Sequence, residues 1–156
     1  MKYRLLLLGL VIFPVFLNAQ KSIDFSGTWV QDNAKSDDFY KEFGITNVIT
    51  QNDKTISFKV TFYDKDGKEV TTRETSFNLD GKEVSKEEYG GINKESATWS
   101  ADNKSLIIKS TRTVGKDVYG STMTYSLSED GKELKVKTSD INPGGPSVNQ
   151  VFTRKK

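Results

Sequence analysis

The sequence predicts an all-β fold, an antiparallel up-and-down β-barrel of about 8–10 strands with one short helix near the N-terminus. Three observations point there. Ile56, Phe58, Val60 and Phe62 alternate with Thr55, Ser57, Lys59, Thr61 and Tyr63, the period-two pattern of a strand with one buried face. The tetrapeptide Asp-Gly-Lys-Glu recurs at 66–69, 80–83 and 130–133, and Asp-Gly suits the positive φ of a type I′ hairpin turn. A Gly-x-Trp stands in the first strand-like run, Phe25-Ser26-Gly27-Thr28-Trp29-Val30, where an indole can plug one end of a β-structure.

Taken in chain order, residues 1–19 read as a signal peptide. Lys2 and Arg4 form a basic start, Leu5 to Phe13 an apolar core, and Asn18-Ala19 a cleavage site before Gln20. A membrane-spanning helix needs about 20 apolar residues, and Pro14 interrupts this shorter run. Export to a bacterial periplasm or the extracellular medium is expected, with no stable membrane span after cleavage. Residues 20–156 then form one domain. Strands are expected near 25–31, 45–51, 55–63, 69–79, 83–89, 95–100, 104–113, 117–128, 132–139 and 147–154, with 45–51 and 83–89 the least regular. Between the first two, Ser36 offers an N-cap, Asp37 and Asp38 acids in the first turn, and Gly44 a stop, while Phe39, Tyr40 and Phe43 share one side. A helix over 36–43 follows. Ten antiparallel strands leave unpaired edges that closure into a barrel removes; a two-sheet sandwich satisfies the same alternation.

Composition excludes several functions. The chain has no cysteine and no histidine, so Ser-His-Asp and Cys-His nucleophiles cannot be built, and zinc, copper and His-ligated haem lose their usual ligands. No disulfide is possible. The chain carries 23 basic and 21 acidic residues, and Lys2 and Arg4 leave with the signal, so the remainder is balanced. Nothing asks for nucleic acid, which needs a clustered positive excess. Asp64-Lys65-Asp66-Gly67 starts like a calcium loop, but the later ligands are missing. Neighbouring carboxylates at Glu87-Glu88 and Asp37-Asp38 point apart on a strand, against a paired-carboxylate hydrolase. No enzyme activity, cofactor or metal is expected, and the protein is expected to be a monomer.

Phe25-Ser26-Gly27-Thr28-Trp29 resembles the Gly-x-Trp opening strand of the lipocalin and fatty-acid-binding superfamily. The continuation through Asp32-Asn33-Ala34-Lys35-Ser36 resembles bacterial lipocalin-like domains of unassigned function. Val151-Phe152-Thr153-Arg154 resembles the closing strand, whose basic residue packs over the opening Trp. The resemblance implies a barrel holding a small apolar molecule in its interior. The middle motif of animal lipocalins is absent, and the Arg-x-Tyr near the end of fatty-acid-binding proteins does not transfer, because Phe152-Thr153-Arg154 stands there.

Trp29 with Arg154 is read as a structural plug. Interior candidates are Phe58, Phe62, Trp99, Met123 and Tyr125, as cavity lining or as packed core. Arg73 shares parity with Phe77 and Leu79, and Arg112 with Leu106 and Ile108, with Tyr119 and Tyr125 on the neighbouring strand. Two arginines and a tyrosine inside a barrel suit a carboxylate head group; at strand ends they reach water instead. The expected function is a non-enzymatic binding protein for a small hydrophobic or carboxylate-bearing molecule, with a filled barrel or sandwich serving protein interaction as the alternative. A binding site is expected away from Trp29, under the segment at 36–43.

Overall fold

The computed structural model describes residues 22–37 and 41–155. Ten strands run through them: β1 (Gly27–Gln31), β2 (Gly44–Gln51), β3 (Thr55–Tyr63), β4 (Glu69–Asn78), β5 (Val84–Glu88), β6 (Gly91–Trp99), β7 (Ser105–Val114), β8 (Asp117–Leu127), β9 (Glu133–Asp140) and β10 (Ser147–Arg154). The signal peptide expected at 1–19 lies outside the described residues. So does the middle of the helix expected at 36–43. Residues 33–36 and 41–43 on either side of it are turns and bends, and there is no helix among the described residues.

All strands are antiparallel and form one sheet in the order β4-β3-β2-β1-β10-β9-β8-β7-β6-β5. Consecutive strands pair except β4 and β5, and β1 pairs β10 with Trp29 opposite Arg154 and Gln31 opposite Phe152. The up-and-down topology is as expected, but the barrel is not closed by hydrogen bonds: β4 and β5 are free edges. Their side chains account for the gap. The face of β4 that continues the interior row carries Thr71, Arg73 and Thr75, with Phe77 its one apolar member; that of β5 carries Val84, Lys86 and Glu88. Zipping these edges together would bury charge, a common way of blunting a sheet edge. The sheet nonetheless curls until its halves meet. Phe58 on β3 lies 5.0 Å from Tyr125 on β8, and Phe25 stacks on Trp99 at 5.9 Å.

The buried core follows the predicted alternation: Trp29, Ile49, Ile56, Phe58, Leu106, Ile108, Leu134 and Phe152. Trp29 and Leu106 are fully buried; burial contributes about 1.5–3 kcal/mol for each large apolar side chain. Trp29 also donates its indole N–H to Phe25 O at 2.9 Å. Above it, the Arg154 guanidinium lies 4.2 Å from the ring centroid and donates to Ser26 O at 2.7 Å. Gly27 makes this possible. Its φ is +138°, and a Cβ there would come within 2.5 Å of the Arg154 Nη1.

The turns correct one expectation. In the Asp-Gly hairpins only the glycine has positive φ (Gly67 +78°, Gly81 +74°, Gly131 +68°), so they are not type I′ turns. Gly131 instead donates to Ser128 O at 2.9 Å, and Ser128 N–H closes a longer loop on Glu133 O. Asn103, at φ +53°, plays the same part between Ser100 and Ser105. The two positive φ values of a type I′ turn occur at Tyr89 and Gly90. That turn brings β6 in at Gly91, four residues earlier than the sequence suggested.

Asp102 Oδ1 accepts from the Ser100 hydroxyl at 2.6 Å and Lys104 N–H at 3.1 Å, and Asp130 Oδ1 from the Ser128 hydroxyl at 2.7 Å and Lys132 N–H at 3.1 Å. Asp80 Oδ1 accepts from Lys82 N–H at 3.1 Å. These bonds hold all three carboxyls below their ordinary value of 3.8, led by the serine hydroxyls at Asp102 and Asp130 and by the Lys82 amide at Asp80. A lowered folded pKa stabilises above the unfolded value and is lost as pH falls through the folded one. The melting temperature is therefore expected to fall on acidification below about pH 4. Asp102→Asn with Asp130→Asn should flatten that limb. Trp29→Ala should cost about 3–5 kcal/mol in denaturant unfolding, and Arg154→Lys less, since an ammonium keeps the charge but not the planar stacking group.

Candidate functional site: an interior cavity

Inside the curled sheet lies a cavity of about 180 Å³. Ile45, Val60, Phe62, Met123, Val136 and Phe152 form its apolar wall, and the Tyr125 ring lines it too. Each stands at the parity that turns inward, from β2, β3, β8, β9 and β10. Two amides break the wall: Asn47 on β2 and Gln150 on β10. Asn47 is 3% exposed, and its Oδ1 has no hydrogen-bond partner among the described residues. An acceptor buried in this way costs about 1–3 kcal/mol.

Gln150 belongs to a chain of amides. It donates Nε2–H to Gln31 Oε1 at 3.1 Å. Gln31 donates to Asn33 Oδ1 at 2.7 Å, and Asn33 donates to the backbone carbonyls of Lys41 (3.2 Å) and Phe43 (3.4 Å). Gln150 is thus linked to the β1–β2 connection through Gln31 and Asn33. A wider groove of about 620 Å³ runs outside that connection, past Lys41, Glu42, Phe43, Tyr63 and Lys65. It mixes inward and outward residues with exposed charge, so it excludes water less well than the interior.

The expected site residues divide. Phe62, Met123 and Tyr125 line the cavity. Phe58 packs beside it against Phe77 and Tyr125, and Trp99 stacks on Phe25 in the core. Arg73 is exposed, its guanidinium 5.9 Å from the Phe62 ring. Arg112 donates to Glu88 O (3.2 Å), Tyr89 O (3.0 Å) and Asn93 Oδ1 (3.1 Å), so its fork clamps the β5–β6 turn. Tyr119, 58% exposed, stands beside it at a separate polar depression of about 190 Å³ that also contains Glu95. The arginines and Tyr119 therefore do not meet the cavity. Glu88, paired with Lys86 and near Arg112, has its pKa lowered, chiefly by the Lys86 bond.

Sequence reasoning missed Asn47, Gln150 and Gln31. A signal was present, since each shares parity with buried or half-buried apolar neighbours: Ile45 and Ile49, Val148 and Phe152, and Trp29. Among the described residues no group of acidic side chains could hold a metal, and no helix is long and apolar enough to cross a membrane.

No protein-family model and no curated protein matches the chain. Solved structures do. Human cRBP IV superposes with a TM-score of 0.58 at 18% identity, covering 85% of this chain and 99% of that one. The REP1-NXSQ fatty acid transporter gives 0.56 at 11%, covering 84% and 96%. An abundant heat soluble (SAHS) protein from Ramazzottius varieornatus gives 0.56 at 12%, covering 87% and 98%. These neighbours are β-barrel proteins of the lipocalin and fatty-acid-binding type, and at such identities the likeness is one of fold.

Arg112→Ala should cost about 1–2 kcal/mol of stability and speed hydrogen exchange at the β5–β6 turn amides, while exchange in β1 and β10 stays slow.

Proposed function

We propose that this protein is a non-enzymatic binder that holds a small hydrophobic or amphipathic molecule inside its curled sheet. The observation that carries the reading is the interior cavity: a space of about 180 Å³ walled by apolar side chains with two inward amides, beside an otherwise packed core. Concave, mostly apolar sites with a few placed polar groups are how small ligands are usually held. The fold likeness supports it, since one neighbour is a fatty acid transporter by name. The absence of histidine and cysteine removes the commonest nucleophiles and bases.

The protein acts, in this reading, after export and loss of residues 1–19, in the periplasm or the medium. The space is small beside the roughly 300–1,000 Å³ of drug-sized sites, so the ligand is compact or only partly enclosed. An interaction module built on a filled sheet is the competing reading.

Native mass spectrometry of the purified protein should show a bound small molecule in stoichiometric amount. Met123→Trp, which fills the cavity from its wall, should abolish that adduct and leave the melting temperature equal or higher. A wild-type protein that carries nothing and binds no compact apolar probe would exclude the binding reading in favour of the interaction module.

A further inference from the structure

Three neighbouring strands change character at one level of the inner face. Ala97 on β6, Ile108 on β7 and Met123 on β8 stand side by side in the register and belong to the core or pack against it. The next inward row toward the β5–β6 turn is Glu95, Ser110 and Ser121, and the row after it Asn93, Arg112 and Tyr119. Cross-strand neighbours lie about 5 Å apart and i, i+2 neighbours about 6.5 Å, so these side chains cover a patch on the scale of a single sugar. They line the polar depression of about 190 Å³. Arg112 and Asn93 form its fixed frame, since the guanidinium is held by Glu88 O, Tyr89 O and Asn93 Oδ1. Gly120 lets β8 press against β7 at this level: any Cβ there would collide with Ser110 O and Thr111 Cα. The Glu95 carboxylate and the hydroxyls of Ser110, Ser121 and Tyr119 make no hydrogen bond or ion pair among the described residues.

We infer that this depression is a second binding site, for a neutral polyhydroxylated ring such as a pyranose sugar. It is separate from the interior cavity, which shares none of its lining residues. A carboxylate accepts more than one O–H, and a serine or tyrosine hydroxyl both donates and accepts; adjacent sugar hydroxyls need that combination. Tyr119, 58% exposed, offers an aromatic face to the C–H side of such a ring. Glu95 and Arg112 are the charged members of the lining and balance each other, so no net charge selects an ion. An anion would meet the Glu95 carboxylate, while the Arg112 fork is already engaged. An apolar molecule would strip water from these groups without replacing its hydrogen bonds. At about 30 Å³ per water the space equals about six waters, and a sugar can reproduce their hydrogen bonds with its own hydroxyls.

The test is titration of the isotope-labelled protein with methyl glucoside, methyl galactoside and methyl mannoside, followed by backbone amide NMR shifts. Cyclohexanol and tetramethylammonium serve as comparison probes, the first a ring of the same size with a single hydroxyl, the second a compact cation. At least one glycoside is expected to shift the amides of residues 93–95, 110–112 and 119–121 saturably, while those of Asn47 and Gln150 stay in place. Glu95→Gln keeps the size of an exposed side chain and should weaken that glycoside about fivefold, the difference between a charged and a neutral acceptor. Glycosides that shift nothing, or only amides elsewhere, would overturn the inference. So would cyclohexanol binding equally well, which would mean ring contact alone, or tetramethylammonium doing so, which would mean attraction to the Glu95 charge alone. An unchanged affinity in a folded Glu95→Gln protein would overturn it too. Each of these results leaves the interior-binding reading in place, and the wild-type comparison decides by itself if the variant does not fold.

Discussion

Arg154 spreads its guanidinium over Trp29 in the space that any side chain at residue 27 would occupy, and the first and last strands meet beneath it. The strand order shows how much depends on that meeting. β1 to β4 form one meander and β5 to β10 another, and β4 and β5 do not pair. Among the described residues the β1–β10 ladder is thus the only strand pairing between the two halves of the sheet. Cation–π attraction contributes about 0.5–2 kcal/mol, modest beside the burial of the indole. Its effect is geometric: it sets Trp29 opposite Arg154, and that register places Gln31 opposite Phe152.

From that register the interior divides by chemistry. Around Trp29, Phe25, Leu106 and Ile108 the curled sheet is packed with apolar side chains, and the rings of Phe25 and Trp99 stack across it. Toward the β1–β2 connection the inward positions become Asn47, Gln31 and Gln150, and along β4 to β7 they include Arg73, Lys86, Glu95 and Arg112. A sheet whose inner face turns polar cannot fill itself with hydrophobic side chains, and the cavity lies where the two regimes meet. The same polarity keeps β4 and β5 apart. The open edge and the polar cavity wall are two results of one pattern, inward-facing residues that resist burial without partners.

Much of the fold was legible because its cause is local. Alternation along β3, β7 and β8 reports which face is buried without knowledge of any other strand, and the Asp, Asn and Gly residues between them mark hairpins through short-range bonds such as Asp130 to the Ser128 hydroxyl. The errors were local too. Asp-Gly suggests a type I′ turn, yet the serine two residues ahead of Asp130 draws the carboxylate into a wider loop. Tyr89-Gly90 adopts the tighter turn although a tyrosine rarely takes positive φ. The site was less legible. Phe62, Met123 and Tyr125 follow from parity, but Arg112 has inward parity and spends its donors on the β5–β6 turn.

The sequence by itself determined the all-β class, the up-and-down order of strands, the burial of Trp29 and the absence of histidine or cysteine chemistry. Each depends on residue type, or on spacing within one strand or turn. Only the tertiary structure decided that the sheet stays open between β4 and β5, and that Gln150 reaches Gln31 across 119 positions of sequence. It alone showed Asn47 Oδ1 buried without a hydrogen-bond partner among the described residues. Parity says which way a side chain points but not what stands opposite, and the neighbours of an inward amide are set by strand pairing between distant parts of the chain.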